Sequence, residues 1–129
     1  LELITVSCDT QFVHLAWKHG EGELADVNYK MGSDGNGKLA KMFGVYLEDA
    51  GVALRGTFLI APDGKVMNVE INALNLGRNI DELMRRFKAN LYLAKKPAEG
   101  CPSKWKDEGD ATLKPGPDMV GRVHEALNQ

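Results

Sequence analysis

Cysteine is nearly absent from this 129-residue chain, which has only Cys8 and Cys101 and no C-x-x-C pair. Two isolated thiols exclude a disulfide framework and fit a reducing compartment, where any disulfide is transient and catalytic. An excess of charge of one sign is missing too. The 16 basic residues nearly balance the 18 acidic ones, and no basic stretch is dense enough to suggest nucleic-acid or membrane-surface binding. Lys95-Lys96 is a short pair at a helix end, where it complements the helix dipole. No apolar run is long enough to span a bilayer, and the N-terminal residues lack the cationic-then-apolar layout of a signal peptide. A soluble, cytoplasmic protein is the expectation, with neither nucleic acid nor membrane as a partner.

Metal and phosphate motifs are also lacking. His14, His19 and His124 form no i,i+4 pair, none lies beside a cysteine, and no carboxylate completes a His-x-x-Glu set. The stretch 32–37 has neither the Gly-x-Gly-x-x-Gly spacing nor a terminal Lys-Ser/Thr, so it is no phosphate loop. Asp34-x-Asn36-Gly37 lacks the later ligands and closing Glu of a calcium loop. Both read as turns, and no metal or cofactor is expected.

What is present is a succession of short periodic segments. The apolar run at 3–6 predicts a buried strand. Asp9-Thr10 predicts the cap of a helix over 11–18, ended by Gly20, with Phe12, Leu15, Ala16 and His19 on one face. A short strand is expected near 27–31, and a second helix over 38–43 after the Ser33-Asp-Gly-Asn-Gly37 punctuation. The clearest pattern is a hairpin: an apolar run at 57–61, the turn Pro62-Asp63-Gly64, then alternation over 65–72. There Met67, Val69 and Ile71 fall on one face, Asn68 and Glu70 on the other.

Asn79 and Glu82 predict a capping box opening a long helix that Pro97 ends. Ile80, Leu83, Met84, Phe87, Leu91 and Ala94 form its apolar stripe, with Asp81–Arg85 and Glu82–Arg86 pairs on the outer face. From Ala98 the composition turns to Gly, Pro, Lys and Asp, which predicts a tail draped over a partner or partly mobile. The 120–127 pattern allows one last short helix. No internal repeat occurs, and the element order is that of a mixed α/β layer.

Within that tail, Glu99-Gly-Cys-Pro-Ser-Lys-Trp-Lys106 sets a cysteine just before a proline on a polar segment. A partly exposed thiol is expected there, with Lys95, Lys96, Lys104 and Lys106 near enough to favour its thiolate. Taken singly, Cys101 reads as a surface thiol, Arg55 as a strand-edge ion pair and Arg78 as a helix-start residue. Cys8 reads as a small core residue. Trp17 and Trp105 read as packing anchors, with Trp105 holding the tail down.

Taken together, five ordered motifs resemble the second half of a typical two-cysteine peroxiredoxin, in particular the peroxidase subunit of bacterial alkyl hydroperoxide reductase. They are Val6-Ser-Cys-Asp-Thr-Gln-Phe-Val-His-Leu-Ala-Trp17, Leu54-Arg-Gly-Thr-Phe-Leu-Ile60, Gly77-Arg-Asn-Ile-Asp-Glu82, Glu99-Gly-Cys-Pro-Ser-Lys-Trp105 and Asp110-Ala-Thr-Leu-Lys-Pro115. The resemblance implies an α/β, thioredoxin-like (peroxiredoxin) fold present only in part, without the N-terminal strands and active-site helix. Residues 1–96 would be the C-terminal part of that domain, and 97–129 a tail carrying the resolving cysteine.

By the same resemblance, Cys101 matches the resolving cysteine. Arg55 matches the arginine that holds the peroxide-attacking cysteine as thiolate, and Arg78 matches one that buttresses the site. The implied partners are a second copy in a homodimer that assembles to a ring, a thioredoxin or flavoprotein disulfide reductase, and a small peroxide. The family's Pro-x-x-x-Thr-x-x-Cys motif occurs nowhere in the chain, and Cys8, with no Pro or Thr in that register, does not replace it. The Gly-Gly-Leu-Gly and Tyr-Phe elements of overoxidation-sensitive members are absent too, which implies resistance to overoxidation.

Two functions follow. One is a thiol peroxidase acting on hydrogen peroxide and organic hydroperoxides, with its first cysteine outside this sequence. The other is a non-catalytic, peroxiredoxin-derived dimerisation or redox-interaction module. A chain entering its first strand at Leu1 is also expected to leave a strand edge and apolar faces uncovered.

Overall fold

The apolar run at the start forms β1 (Ile4–Ser7), which pairs in parallel with β2 (Lys30–Ser33) from Ile4↔Lys30 to Ser7↔Ser33. The computed structural model describes residues 1–128, in two units. The first holds Leu1–Thr57 and Glu70–Gly77; the second holds Phe58–Val69 and the chain from Arg78 on.

In the first unit, α1 (Gln11–Gly20) makes the crossover that a parallel pair requires. The Thr10 hydroxyl accepts from the Val13 N–H, and the Glu21 N–H closes the last turn on the Trp17 carbonyl at 3.0 Å. The helix therefore includes Gly20 rather than stopping before it. β2 starts later than the apolar pattern suggests. A 3-10 turn at Gly22–Leu24 takes up the chain first, and the Val27 N–H bonds the Leu24 carbonyl.

Asp34 is buried, and its carboxylate accepts from the backbone of Leu39 at 3.0 Å and Ala40 at 2.8 Å, starting α2 (Lys38–Met42). Those donors hold its carboxyl below the usual range. Gly37 sits at φ +67, and a β-carbon there would come within 2.4 Å of the Tyr46 ring, so the position requires glycine. Ala40 and Val45 form the buried centre of this unit. β3 (Tyr46–Leu47) and β4 (Val52–Ala53) pair antiparallel beside it, too short to announce themselves by alternation.

β5 (Arg55–Ile60) and β6 (Val66–Asn72) form the expected two-stranded hairpin. At its turn, the Lys65 N–H donates to Asp63 Oδ1 at 3.1 Å and Gly64 takes φ +85. Along β6 the apolar row Met67, Val69, Ile71 is exposed, whereas Asn68, Glu70 and Asn72 are half-buried.

In the second unit, Asn79 Oδ1 accepts from the Glu82 N–H at 3.0 Å and opens α3 (Ile80–Lys95). The Glu82 carboxylate takes Arg85 Nε at 2.6 Å and Arg86 Nε at 2.8 Å. Arg85 thus pairs at i,i+3 with Glu82. Ile80, Met84 and Leu91 of the apolar stripe are exposed.

Between residues 98 and 113 the tail packs back on its own chain. Trp105 is 2% exposed and packs on Tyr92 with ring centroids 5.4 Å apart. Arg85 donates to the Trp105 carbonyl at 3.2 Å, and Lys88 pairs with Asp107. A one-residue bridge joins Gly100 and Leu113. After a 3-10 turn at Pro117–Met119, Gly121 at φ +75 delays the last helix, α4 (Val123–Leu127). Trp17, read from sequence as a packing anchor, is 54% exposed, and its helix neighbour Phe12 is 72% exposed.

Candidate functional site

Cys101 lies six residues beyond the end of α3. The Lys96 N–H caps the helix on the Tyr92 carbonyl, and the Glu99 N–H turns back to the Lys96 carbonyl at 3.0 Å. Gly100 then exchanges both backbone bonds with Leu113, at 2.6 and 2.9 Å. The reversal is fixed by Pro97, which cannot extend the helix. Cys101 emerges from it half-buried, with a free thiol.

The electrostatics differ from the lysine-rich expectation. Burial pushes the Cys101 thiol up, the Glu99 carboxylate adds to that, and Arg85 alone opposes it. Lys95, Lys104 and Lys106 are exposed, and water screens their charge. Lys96 lies 5.2 Å from the Tyr92 ring centroid and 3.8 Å from Glu99. The cation that faces the thiol is Arg85, which sequence reading assigned to the helix surface. Its periodicity gave no signal, because a charged residue beside a stripe looks the same whether it meets water or a returning tail.

Arg55 belongs to the first unit, where its Nε donates to the Leu74 carbonyl at 2.8 Å and pins the guanidinium to the connection after β6. Arg78 and Cys101 belong to the second unit, Arg78 on the exposed turn before the Asn79 cap. Cys8 is half-buried at the end of β1. Burial and the Asp34 charge raise its pKa, against a hydrogen bond from the Ala53 backbone. That environment suits an inert thiol. His14 Nε2 lies 2.6 Å from Ser7 Oγ, which gives its own proton to Asp9 at 2.8 Å. The ring must then donate from Nε2, a structural bond. Among the described residues no three His, Cys, Asp or Glu side chains gather as a metal site. No helix among them is long and apolar enough to cross a membrane.

The AhpC/TSA family profile matches residues 1–69. The chain belongs to that family.

Alkyl hydroperoxide reductase C of Amphibacillus xylanus is 42% identical over 95% of the chain, and that of Escherichia coli K12 is 41% identical over the same share. The chain spans 65% of the length of either relative. Among solved structures, the reduced 2-Cys peroxiredoxin of Plasmodium vivax superposes with a TM-score of 0.82 at 31% identity, over 91% of this chain and 61% of that one. Enterococcus faecalis AhpC superposes at 0.74 with 38% identity, over 78% and 60%. The fold of this peroxiredoxin chain is therefore the thioredoxin-like one, represented over part of its length.

Proposed function

We propose that the protein carrying this chain is a thiol peroxidase that reduces hydrogen peroxide and organic hydroperoxides. The observation that carries the proposal is a free, half-buried thiol at Cys101, on a segment folded back over α3, in a chain of this family. A peroxidatic thiolate outside these 129 residues attacks the terminal peroxide oxygen. The O–O bond breaks, water or an alcohol leaves with a proton, and a sulfenic acid remains. The Cys101 sulfur of the partner subunit then attacks the sulfenic sulfur. An S–S bond forms, the S–O bond breaks, and hydroxide leaves with the thiol proton as water. A thioredoxin or flavoprotein disulfide reductase returns two electrons and restores both thiols.

Arg55 stabilises the attacking thiolate and the developing charge on the peroxide oxygens, since a guanidinium stays charged and offers fixed donors. Arg78 buttresses it. Residues 97–129 act as the tail that delivers the resolving thiol. The protein works as a cytoplasmic homodimer that assembles to a ring, and the open apolar faces of α1 and β6 support such association.

The test is a non-reducing gel of the full-length protein after one equivalent of peroxide. The native protein should form a disulfide-linked dimer, and Cys101→Ser should abolish it. A covalent dimer that survives Cys101→Ser would defeat the assignment. A purified polypeptide whose intact mass is 14.1 kDa would carry no peroxidatic centre. It would leave the dimerisation or redox-interaction module as the function.

A further inference from the structure

We propose that Glu99 is a positioning residue, a carboxylate clamp that restrains Cys101 and sets how fast it becomes available for disulfide formation. This rests on the reading of Cys101 as the resolving thiol.

The geometry is convergent. A single oxygen, Glu99 Oε2, accepts from the Tyr92 hydroxyl on α3 at 2.6 Å and from the Thr112 hydroxyl on the returning strand at 2.6 Å. Lys96 Nζ lies 3.8 Å from the other oxygen. The next residue, Gly100, is tied to Leu113 through both of its backbone groups. Helix, returning strand and side chain therefore meet within two residues of the sulfur. The Glu99 side chain is only 15% exposed, so water competes poorly for its lone pairs and these charge-assisted bonds are strong ones.

The same carboxylate works against deprotonation of the neighbouring thiol. Glu99 thus restrains Cys101 twice, by holding its segment and by disfavouring its thiolate. Joining Cys101 to a cysteine of another subunit requires α-carbons roughly 4.4–6.8 Å apart and a specific dihedral. A sulfur held in a paired, half-buried segment reaches that geometry only after the segment opens. Glu99 is the fastening nearest the sulfur, and local opening of such a short stretch is a lower-energy event than global unfolding. In the bond-forming step the Cys101 sulfur displaces hydroxide from the sulfenic sulfur, as described above, so no further reactant is needed.

The test uses the reduced full-length protein. Thr112→Val keeps the shape and the Glu99 charge while removing one of the two hydroxyls. It should raise the plateau rate of Cys101 alkylation by iodoacetamide, and the quenched-flow rate of disulfide formation, by roughly tenfold. Thr112→Ser keeps the hydroxyl and should stay near the native rates, which loss of packing alone would not allow. Glu99→Gln should raise both rates and also shift the pH midpoint of alkylation downward. Unchanged or slower rates in Thr112→Val and Glu99→Gln would overturn the clamp while leaving Cys101 as resolving thiol. A disulfide that persists in Cys101→Ser would instead overturn the underlying assignment.

Discussion

Glu82 joins the start of α3 to the residue that faces Cys101. Its carboxylate takes one guanidinium from Arg85 and one from Arg86, and these donors hold its pKa down to about 2. A carboxyl depressed from an ordinary value of 4.5 contributes stability that is complete above that value. The contribution is lost as pH falls from there to about 2, since protonation then removes the acceptor. The pair is a third exposed and screened by solvent, so the contribution is modest. Glu82→Gln should accordingly lower the midpoint of thermal unfolding at neutral pH. The difference from the native protein should vanish in acid below the Glu82 titration. Melting curves across that range check it; a difference that stays constant with pH would mean that Glu82 acts only through packing. At this scale the sequence displayed residues and hid their partners. The motif drew attention to Cys101. Nothing drew attention to its electrostatic neighbour, because Arg85 reaches it only after the tail has folded back across the helix.

The elements were legible where their period was long. Sixteen residues of α3 and the six- and seven-residue strands of the hairpin carry their own patterns, and caps or turn residues mark their ends. β3 and β4 have two residues each and leave no pattern. The tail gave a mixed signal: its polar composition carries no period, while the one tryptophan read as its anchor is the buried one. Among the described residues Trp105 is the most completely buried large side chain, and its Nε1–H finds no hydrogen-bond partner among them. Trp105→Ala should cost about 3–5 kcal/mol through the cavity it leaves, with faster proteolysis between residues 98 and 113. Trp105→Phe should cost less, because it keeps most of the contact with Tyr92 and removes the unpaired donor. Denaturant melts and timed digestion measure both. Digestion unchanged in Trp105→Ala would show that the Gly100–Leu113 bridge and Glu99 hold the segment without the indole.

At the scale of the whole molecule the decisive quantity is surface. The chain exposes 9708 Å². A monomer of this mass would expose roughly 6,700 Å², and even two separate units of half the mass would expose only roughly 8,100 Å² together. The excess over the more generous reference exceeds the roughly 800 Å² that each partner buries in a standard interface. Its chemistry is apolar: Leu3, Ile4 and Val6 of the first strand region, Phe12, Leu15 and Trp17 of α1, and Met67, Val69 and Ile71 of β6 all lie open. A two-stranded sheet cannot shelter such rows by itself, and neither the 3.6-residue helical period nor strand alternation says what would. The sequence pattern thus marked which faces are apolar, and the expectation of uncovered apolar faces agrees with their exposure, but the pattern does not say what would cover them. These faces should drive association. The 129-residue chain expressed alone should scatter light above 14.1 kDa, bind a hydrophobic dye, and dissociate on dilution. On the proposed reading, in which further chain and a second subunit cover those rows, the same dye should find little to bind in the full-length protein. A monomeric, dye-silent 129-residue chain would instead mean that it repacks in solution to bury Phe12 and Trp17 against its own strands. That repacking would be visible as a blue shift of Trp17 fluorescence in Trp105→Phe.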